Sequence, residues 1–154
     1  MLSASDTDGG IDGLDRQTLH LLGTDPVITM NPDVVWTGPN PVAALRAAWD
    51  AGRMDALLML VPVGRAEGRQ GGGDFAIAAD GRIARQGDLV YGGAQIVRPD
   101  RLAEIPNEVF SLNRLWDMMI ADGRAFGIVH AGGGAFLHQL LVAALEGAVA
   151  LAQV

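Results

Sequence analysis

The stretch Val27-Ile28-Thr29-Met30-Asn31-Pro32-Asp33-Val34-Val35-Trp36 places one carboxylate where an apolar, β-branched run breaks off. Such a run reads as a buried strand, here Val27–Asn31, with Asp33 at its C-terminal tip. In open α/β sheets ligands bind beyond the carboxyl ends of the strands, so a carboxylate there is placed to do chemistry. The plainer alternative is an Asp that starts a turn, because its side chain readily bonds nearby backbone. Asp33 with Asp74 could hold a divalent cation through hard oxygen ligands, although spacing alone does not pair them. Other reactive patterns are missing. No Ser-His-Asp arrangement or zinc spacing occurs, and Gly71-Gly72-Gly73 and Gly132-Gly133-Gly134 match neither the P-loop nor the dinucleotide fingerprint. His20, His130 and His138 lie far apart and read as structural or surface residues, and Trp36, Trp49 and Trp116 read as core.

The elements that must position Asp33 follow from periodicity and capping. Met1–Asp15 is rich in Ser, Asp and Gly and reads as a flexible segment, followed by a short helix over Arg16–Leu22 that Gly23 stops. After the first strand, Asn40 as N-cap and Pro41 at the first helical position open a helix. Its apolar residues Val42, Leu45, Ala48 and Trp49 recur at helical spacing, and Gly52 sits where it should end. Ala56–Pro62 is a continuous apolar run of strand length, as for a strand covered on both faces. Val63–Asp74 is a glycine-rich loop. Asp80-Gly81 between Phe75–Ala79 and Arg82–Arg85 predicts a hairpin with a two-residue type I′ turn. Leu89–Val97 is a further strand, and its Gly pair predicts a bulge or a close backbone contact. Pro99–Leu102 begins a helical turn, Ser111 caps a helix over Leu112–Ala121, and Ala125–His130 is the last strand. Ala135–Val154 reads as an apolar helix. The partition is a flexible 1–15 and one domain over 16–154. Strands alternating with helices predict an α/β fold with a mostly parallel sheet and one β-hairpin.

Composition narrows the function classes. Hydrophobic residues at 49% against 19% charged describe a globular chain rather than a disordered one. A formal charge of −7, with Arg as the only basic residue besides His, leaves no face to neutralise phosphates, which argues against nucleic-acid binding. The absence of Cys removes disulfides and thiolate metal sites. The first residues have neither a basic stretch nor an apolar core, so no secretory signal is read and the cytoplasm is the expected location. The tail meets the length of a membrane span at roughly 20 residues. Its Ala and Gly content, Gln139, Glu146 and Gln153 instead favour a packed or interface helix, with no membrane partner.

Five blocks in order carry a resemblance. Asn31-Pro32-Asp33-Val34-Val35-Trp36, Met54–Pro62, Gly73-Asp74-Phe75, Tyr91-Gly92-Gly93-Ala94-Gln95-Ile96 and Phe110–Asp117 resemble the sugar-1-phosphate nucleotidyltransferase family. The similarity runs from about Leu21 to His130 and points to the branch of N-acetylmuramate-1-phosphate uridylyltransferases and mannose-1-phosphate guanylyltransferase-like proteins. It implies a Rossmann-like, glycosyltransferase-A-type fold, matched over the C-terminal portion only and incomplete at the N-terminus. It also implies transfer of a nucleotidyl group from a nucleoside triphosphate to a sugar-1-phosphate, with Mg²⁺ bridging phosphates. Asp33 then corresponds to the first metal-binding Asp. Asn31, Gly73, Asp74, Gly93, Gln95 and Asn113 are the implied substrate-binding positions.

The departures set the expectation for activity. Pro32 replaces the usual Ser of an Asn-Ser-Asp motif. The family's Gly-rich triphosphate loop with its Arg and following Lys has no counterpart, and this chain has no Lys at all; Thr7-Asp8-Gly9-Gly10 is a faint echo of the family's Thr-Gly-Gly-Gly stretch. No Asp follows Arg124, so the second metal-binding Asp is missing too. The expectation is a domain that does not turn over as a lone chain. The alternative is a non-catalytic binding or assembly module that forms a homo-oligomer, or joins a complementing chain, through an uncovered sheet edge and the apolar tail.

Overall fold

The computed structural model describes residues 21–105, 112–137 and 140–141. The reading of Met1–Asp15, the Ser111 cap, most of the Arg16–Leu22 helix and most of the tail lie outside them; Leu21 and Leu22 are helical.

The elements run β1 (Val27–Met30), β2 (Val34–Thr37), α1 (Pro41–Ala48), β3 (Ala56–Pro62), a 3₁₀ turn (Val63–Arg65), β4 (Ala66–Glu67), β5 (Phe75–Ile77), β6 (Ile83–Arg85), β7 (Leu89–Val97), a second 3₁₀ turn (Pro99–Glu104), α2 (Leu112–Ala121), β8 (Ala125–Val129) and β9 (Gly133–Phe136). Two sheets form. The larger has the order β6-β5-β7-β3-β8, with β1 also paired to β7, and the smaller has the order β2-β9-β4. The fold is α/β, but the sheet is mixed rather than mostly parallel. Within the larger sheet only β3 and β8 run parallel, whereas β1–β7, β3–β7, β5–β6 and β5–β7 are antiparallel. Among the described elements a helix joins successive strands at β2–α1–β3 and at β7–α2–β8, and neither pair lies side by side in a sheet, so neither is a crossover between parallel neighbours.

β3 explains the layering. Ala56, Leu58 and Leu60 point to one face, where Leu112, Leu115, Trp116 and Met119 of α2 cover them. Leu57 and Met59 point to the other, where they pack with Leu45 of α1 above and with Ala94, Ile96 and Phe126 of the neighbouring strands beside them. Leu115 and Met119 are fully buried, and each such side chain contributes about 1.5–3 kcal/mol. α1 starts as its sequence predicts, because the Asn40 side chain accepts from the Val42 N–H (2.9 Å) and the Ala43 N–H (3.3 Å). It ends at Ala48 rather than at Gly52. Asp50 closes a separate turn there, with its carboxylate on the Gly52 N–H and its carbonyl on the Arg53 and Met54 N–H groups. α2 ends at Gly123 in a Schellman pair, Gly123 N–H to the Ile120 carbonyl and Arg124 N–H to the Met119 carbonyl.

Three further local readings change. The hairpin joins β5 to β6 through a three-residue loop, Ala79-Asp80-Gly81, because Ala78 N–H bonds the Arg82 carbonyl and Gly81 N–H the Ala78 carbonyl. Among these loop residues only Gly81 has positive φ (+90°), which suits a type I turn with a following glycine bulge, not the type I′ turn. The Arg82 N–H holds the Asp80 carboxyl below the usual carboxylate range. Second, Val34–Thr37 forms β2, a strand that follows Asp33 immediately. Third, Gly133–Phe136 forms β9, so Ala135 and Phe136 are extended where a helix is predicted. Among the described residues no helix is long and apolar enough to cross a membrane.

The amino ends of β3 and β8 are tied by one buried carboxylate. Asp55 accepts from Arg124 Nε (2.8 Å) and from Arg101 Nη1, and Arg101 also meets Asp122 (2.6 Å) and Glu104 (2.7 Å). Removing Asp55 takes the carboxylate from Arg124 and one of three from Arg101, and leaves part of their hydrogen-bonding unmet, a change that costs about 1–3 kcal/mol. Asp55→Ala should therefore lower the urea midpoint of unfolding with an unchanged m value. A midpoint within error of the wild type would contradict this account of the strand ends.

Candidate functional site

Asp33 lies in the turn that joins β1 to β2, and both sides of that turn are fixed by backbone. On the β1 side the Asn31 N–H donates to the Gly93 carbonyl (2.7 Å), extending the β1–β7 ladder by one rung. On the β2 side the Leu137 N–H donates to the Asp33 carbonyl (2.9 Å), extending the β2–β9 ladder. The Asp33 side chain is half-buried and has no ion pair among the described residues. A carboxylate fixed at its backbone and free of a basic neighbour suits a cation brought by a substrate.

The bulge predicted from the Gly pair in β7 is present and supports this turn. β3 pairs Leu58 with Gln95 but Leu60 with Tyr91, so two additional residues of β7 stand opposite Met59. A one-residue insertion would turn every later side chain to the other face, and a two-residue insertion keeps both faces intact. Gly93 takes φ +89°, and a Cβ on it would lie 3.0 Å from Val34 Cγ2 and 3.1 Å from Asn31 Cβ. The bulge thus lies directly against the turn. Beside it, the Trp36 ring is in contact with Gly92 and Val61, joining β2 to the larger sheet.

The remaining candidates are spread along β7 and α2. Gln95 is fully buried, and its Oε1 accepts from Trp116 Nε1 (3.0 Å), so it faces α2. Thr29 is its partner across the strands, and Tyr91 lies beside both without a well-formed hydrogen bond to either. Burial pushes the Tyr91 phenol up, against the smaller opposing effects of Thr29 and Gln95. Gly73 packs on Gly87 and Asp88, and the Asp74 N–H donates to the Leu89 carbonyl (2.7 Å), at the start of β7. The Asp74 carboxylate is engaged by Arg69 (2.8 Å). Asn113 is in the first turn of α2, where its carbonyl accepts from Arg85 Nη2 (3.1 Å). The structure therefore brings Asn31, Asp33 and Gly93 together. It leaves Gln95 under α2 and places Gly73 with Asp74 at the start of β7. Among the described residues no group of three or more His, Cys, Asp or Glu side chains is gathered to hold a metal.

Trp36 and His130 belong to the surroundings of this site, and sequence alone assigned them no role there. His130 is buried, its Nε2 lies 2.9 Å from the Thr37 carbonyl, and its ring meets Trp36 edge-on at 5.0 Å. The one hint is that Trp36 and His130 each sit beside a residue pattern that breaks, Pro32-Asp33 for one and Gly132-Gly133-Gly134 for the other.

Over 138 residues, 85% of its length, the chain is 38% identical to the N-acetylmuramate alpha-1-phosphate uridylyltransferase of Caulobacter vibrioides. The chain is a relative of the sugar-1-phosphate nucleotidyltransferases. It spans about half of that relative, 55% of its length. Two solved structures share the nucleotidyltransferase fold. One is a protein described as a glucose-1-phosphate thymidylyltransferase from Bacillus anthracis, in complex with sucrose (TM-score 0.59, 10% identity, 77% of this chain and 51% of that one). The other is HddC from Yersinia pseudotuberculosis (TM-score 0.52, 16% identity, 82% of this chain and 56% of that one). No family model matches the chain. The Rossmann-like nucleotidyltransferase fold expected from the five sequence blocks is the one these structures share with it.

In this nucleotidyltransferase-like domain, Gly93→Ala should destabilise the fold through backbone strain and a tight contact with the turn, though less than a methyl at Gly132 or Gly87, where a Cβ would lie 1.7 and 2.1 Å from backbone oxygens. Gly93→Ala forces an L-residue into the left-handed region against Val34 and Asn31, which costs about 1–3 kcal/mol. Thermal unfolding measured beside Gly71→Ala, where a Cβ meets nothing within 4 Å, separates crowding at the turn from backbone strain alone. Equal losses in the two variants would show that the contact with the turn contributes nothing.

Proposed function

We propose that the domain binds a sugar-1-phosphate and a nucleoside triphosphate at the β1–β2 turn, with Asp33 as the Mg²⁺ ligand. The observation that carries this reading is the Asp33 carboxylate itself, fixed by two ladders and with no ion pair among the described residues. Mg²⁺ is commonly held by one or two carboxylates together with substrate phosphates, so one carboxylate is a sufficient protein contribution. In the reaction of this class, an oxygen of the sugar phosphate attacks the α-phosphorus of the triphosphate. The bond to the bridging oxygen breaks, and pyrophosphate leaves with the electron pair. Bound Mg²⁺ would supply charge neutralisation on the phosphates. This chain's share is positional: Asp33 orients the cation, and Asn31 and Gly93 fix Asp33.

As a lone chain the domain is proposed to bind but not to turn over. Within these 154 residues no lysine is available to pair with a triphosphate. A second reading, an assembly module, draws support from β1, whose described strand pairing is with β7 alone, and from Met30 and Val35, exposed at 44% and 50%. Such an edge accepts another strand.

Calorimetry of the chain with UTP or GTP, Mg²⁺ and a panel of sugar-1-phosphates should show Mg²⁺-dependent binding. Asp33→Asn should weaken it by at least about 10–100-fold, the range for losing an outer partner of a metal ligand and so a lower bound for losing the ligand itself. Pyrophosphate release should stay far below the usual enzymatic range of roughly 1–10³ s⁻¹. Binding that Asp33→Asn leaves untouched removes Asp33 from the site, and turnover at an ordinary rate refutes the inactivity of the lone chain. Light scattering on the same sample addresses the assembly reading, which requires a mass above that of one chain.

A further inference from the structure

His130 stands where β8 leaves the larger sheet, and it is bonded to both sheets at once. Its backbone N–H donates to the Leu60 carbonyl (2.8 Å), continuing the β3–β8 ladder by one rung. Its ring Nε2 lies 2.9 Å from the carbonyl of Thr37, the last residue of β2. A backbone carbonyl only accepts, so this nitrogen carries a proton and donates. The ring is 2% exposed and meets Trp36 edge-on, with an interplanar angle of 80°. The adjoining chain is pressed against the same carbonyl: a Cβ on Gly132 would lie 1.7 Å from Thr37 O.

From this clamp the β2–β9 ladder runs in one direction. Thr37 pairs with Gly133, Trp36 with Gly134, Val35 with Ala135 and Val34 with Phe136, and the next rung is the Leu137 N–H on the Asp33 carbonyl. The strand has four residues and one described neighbour, so its placement depends on what fixes its ends. One end is the clamp at His130, and the other is Asp33.

We propose that His130 is a positioning residue for Asp33: by holding Thr37 and Trp36 it sets the β2–β9 ladder against the larger sheet and so aims the carboxylate. The inference rests on the proposed role of Asp33 as a cation ligand. Its structural half, the coupling from His130 to the Asp33 rung, stands apart from that role and is read separately below.

The test compares the full wild-type chain with His130→Ala, His130→Gln and His130→Phe. Gln retains a donor for Thr37 O, whereas Phe keeps a ring edge against Trp36 without a donor and replaces Ala if that variant does not fold. The probes are Mn²⁺ affinity in the presence of UTP, by electron paramagnetic resonance, and amide hydrogen exchange at Leu137. The Ala and Phe variants should bind Mn²⁺ about tenfold more weakly, the lower end of what losing an outer positioning contact costs a bound metal. Exchange at Leu137 should quicken about fivefold in both, the equivalent of one lost hydrogen bond. His130→Gln should restore both readouts. Rescue by Phe but not by Gln would mean that His130 only fills space, and overturns the proposal. Unchanged Leu137 exchange in the Ala and Phe variants overturns it as well. A wild type that binds no Mn²⁺ refutes the role of Asp33, while Leu137 exchange still decides whether His130 holds the turn.

Discussion

The β1–β2 turn is fixed because its two ends are rungs of different sheets. Asn31 is bonded to the larger sheet through Gly93, and Asp33 to the smaller one through Leu137. Three residues bridge the two, with Pro32 between them restricting its own φ and the backbone of Asn31. A turn attached at one end can swing as a unit. One attached at both ends moves only if the sheets move relative to each other, so the orientation of the Asp33 carboxylate is a property of how the sheets are joined.

That joint is made of large aromatic and small glycine surfaces. Trp36 reaches from β2 onto Gly92 and Val61, and His130 packs edge-on against it from the end of β8. Any side chain at Gly92 would meet the indole, since a Cβ there would lie 2.5 Å from Trp36 Cη2. The glycine pair of β7 therefore has two duties. Gly92 admits the ring that joins the sheets, and Gly93 supplies the backbone conformation that accommodates the turn. The two-residue insertion they belong to achieves this without disturbing the alternation that buries β3 and β7 on both faces.

Much of this was legible in the sequence, and what was not has identifiable causes. β3 and β7 are found by their boundaries because continuous apolar runs are what strands covered on both faces require. The start of α1 is written in Asn40-Pro41, and the bulge in Gly92-Gly93. β9 was not legible: Gly-Gly-Ala-Phe has little strand propensity, and its extended shape comes from β2 and β4 on either side. The sheet direction was missed for a related reason, since most strands here return through loops and turns rather than helices. Asp33 was found as a strand-tip carboxylate, but the fixing of its far side depends on Leu137, about a hundred residues away in sequence. His130 reads as an isolated structural or surface histidine until the fold brings Thr37 to it.

A site with one carboxylate has a physical consequence under the proposed function. Mg²⁺ sheds its water reluctantly and prefers six oxygen ligands, of which Asp33 supplies at most two. The cation is then held firmly only when phosphate oxygens join it, so the affinities for metal and for phosphate ligand rise together and by the same factor. Four of the arginines are less able to substitute for the metal, because they are already engaged with carboxylates, Arg69 with Asp74, Arg85 with Asp117, and Arg101 and Arg124 with Asp55. Under the proposed function the cation carries much of the charge neutralisation of a bound phosphate, and Asp33 places the cation. The precision of the turn, set by two ladders and by the joint between them, thus bears directly on how well such a site discriminates a correctly placed phosphate from a misplaced one.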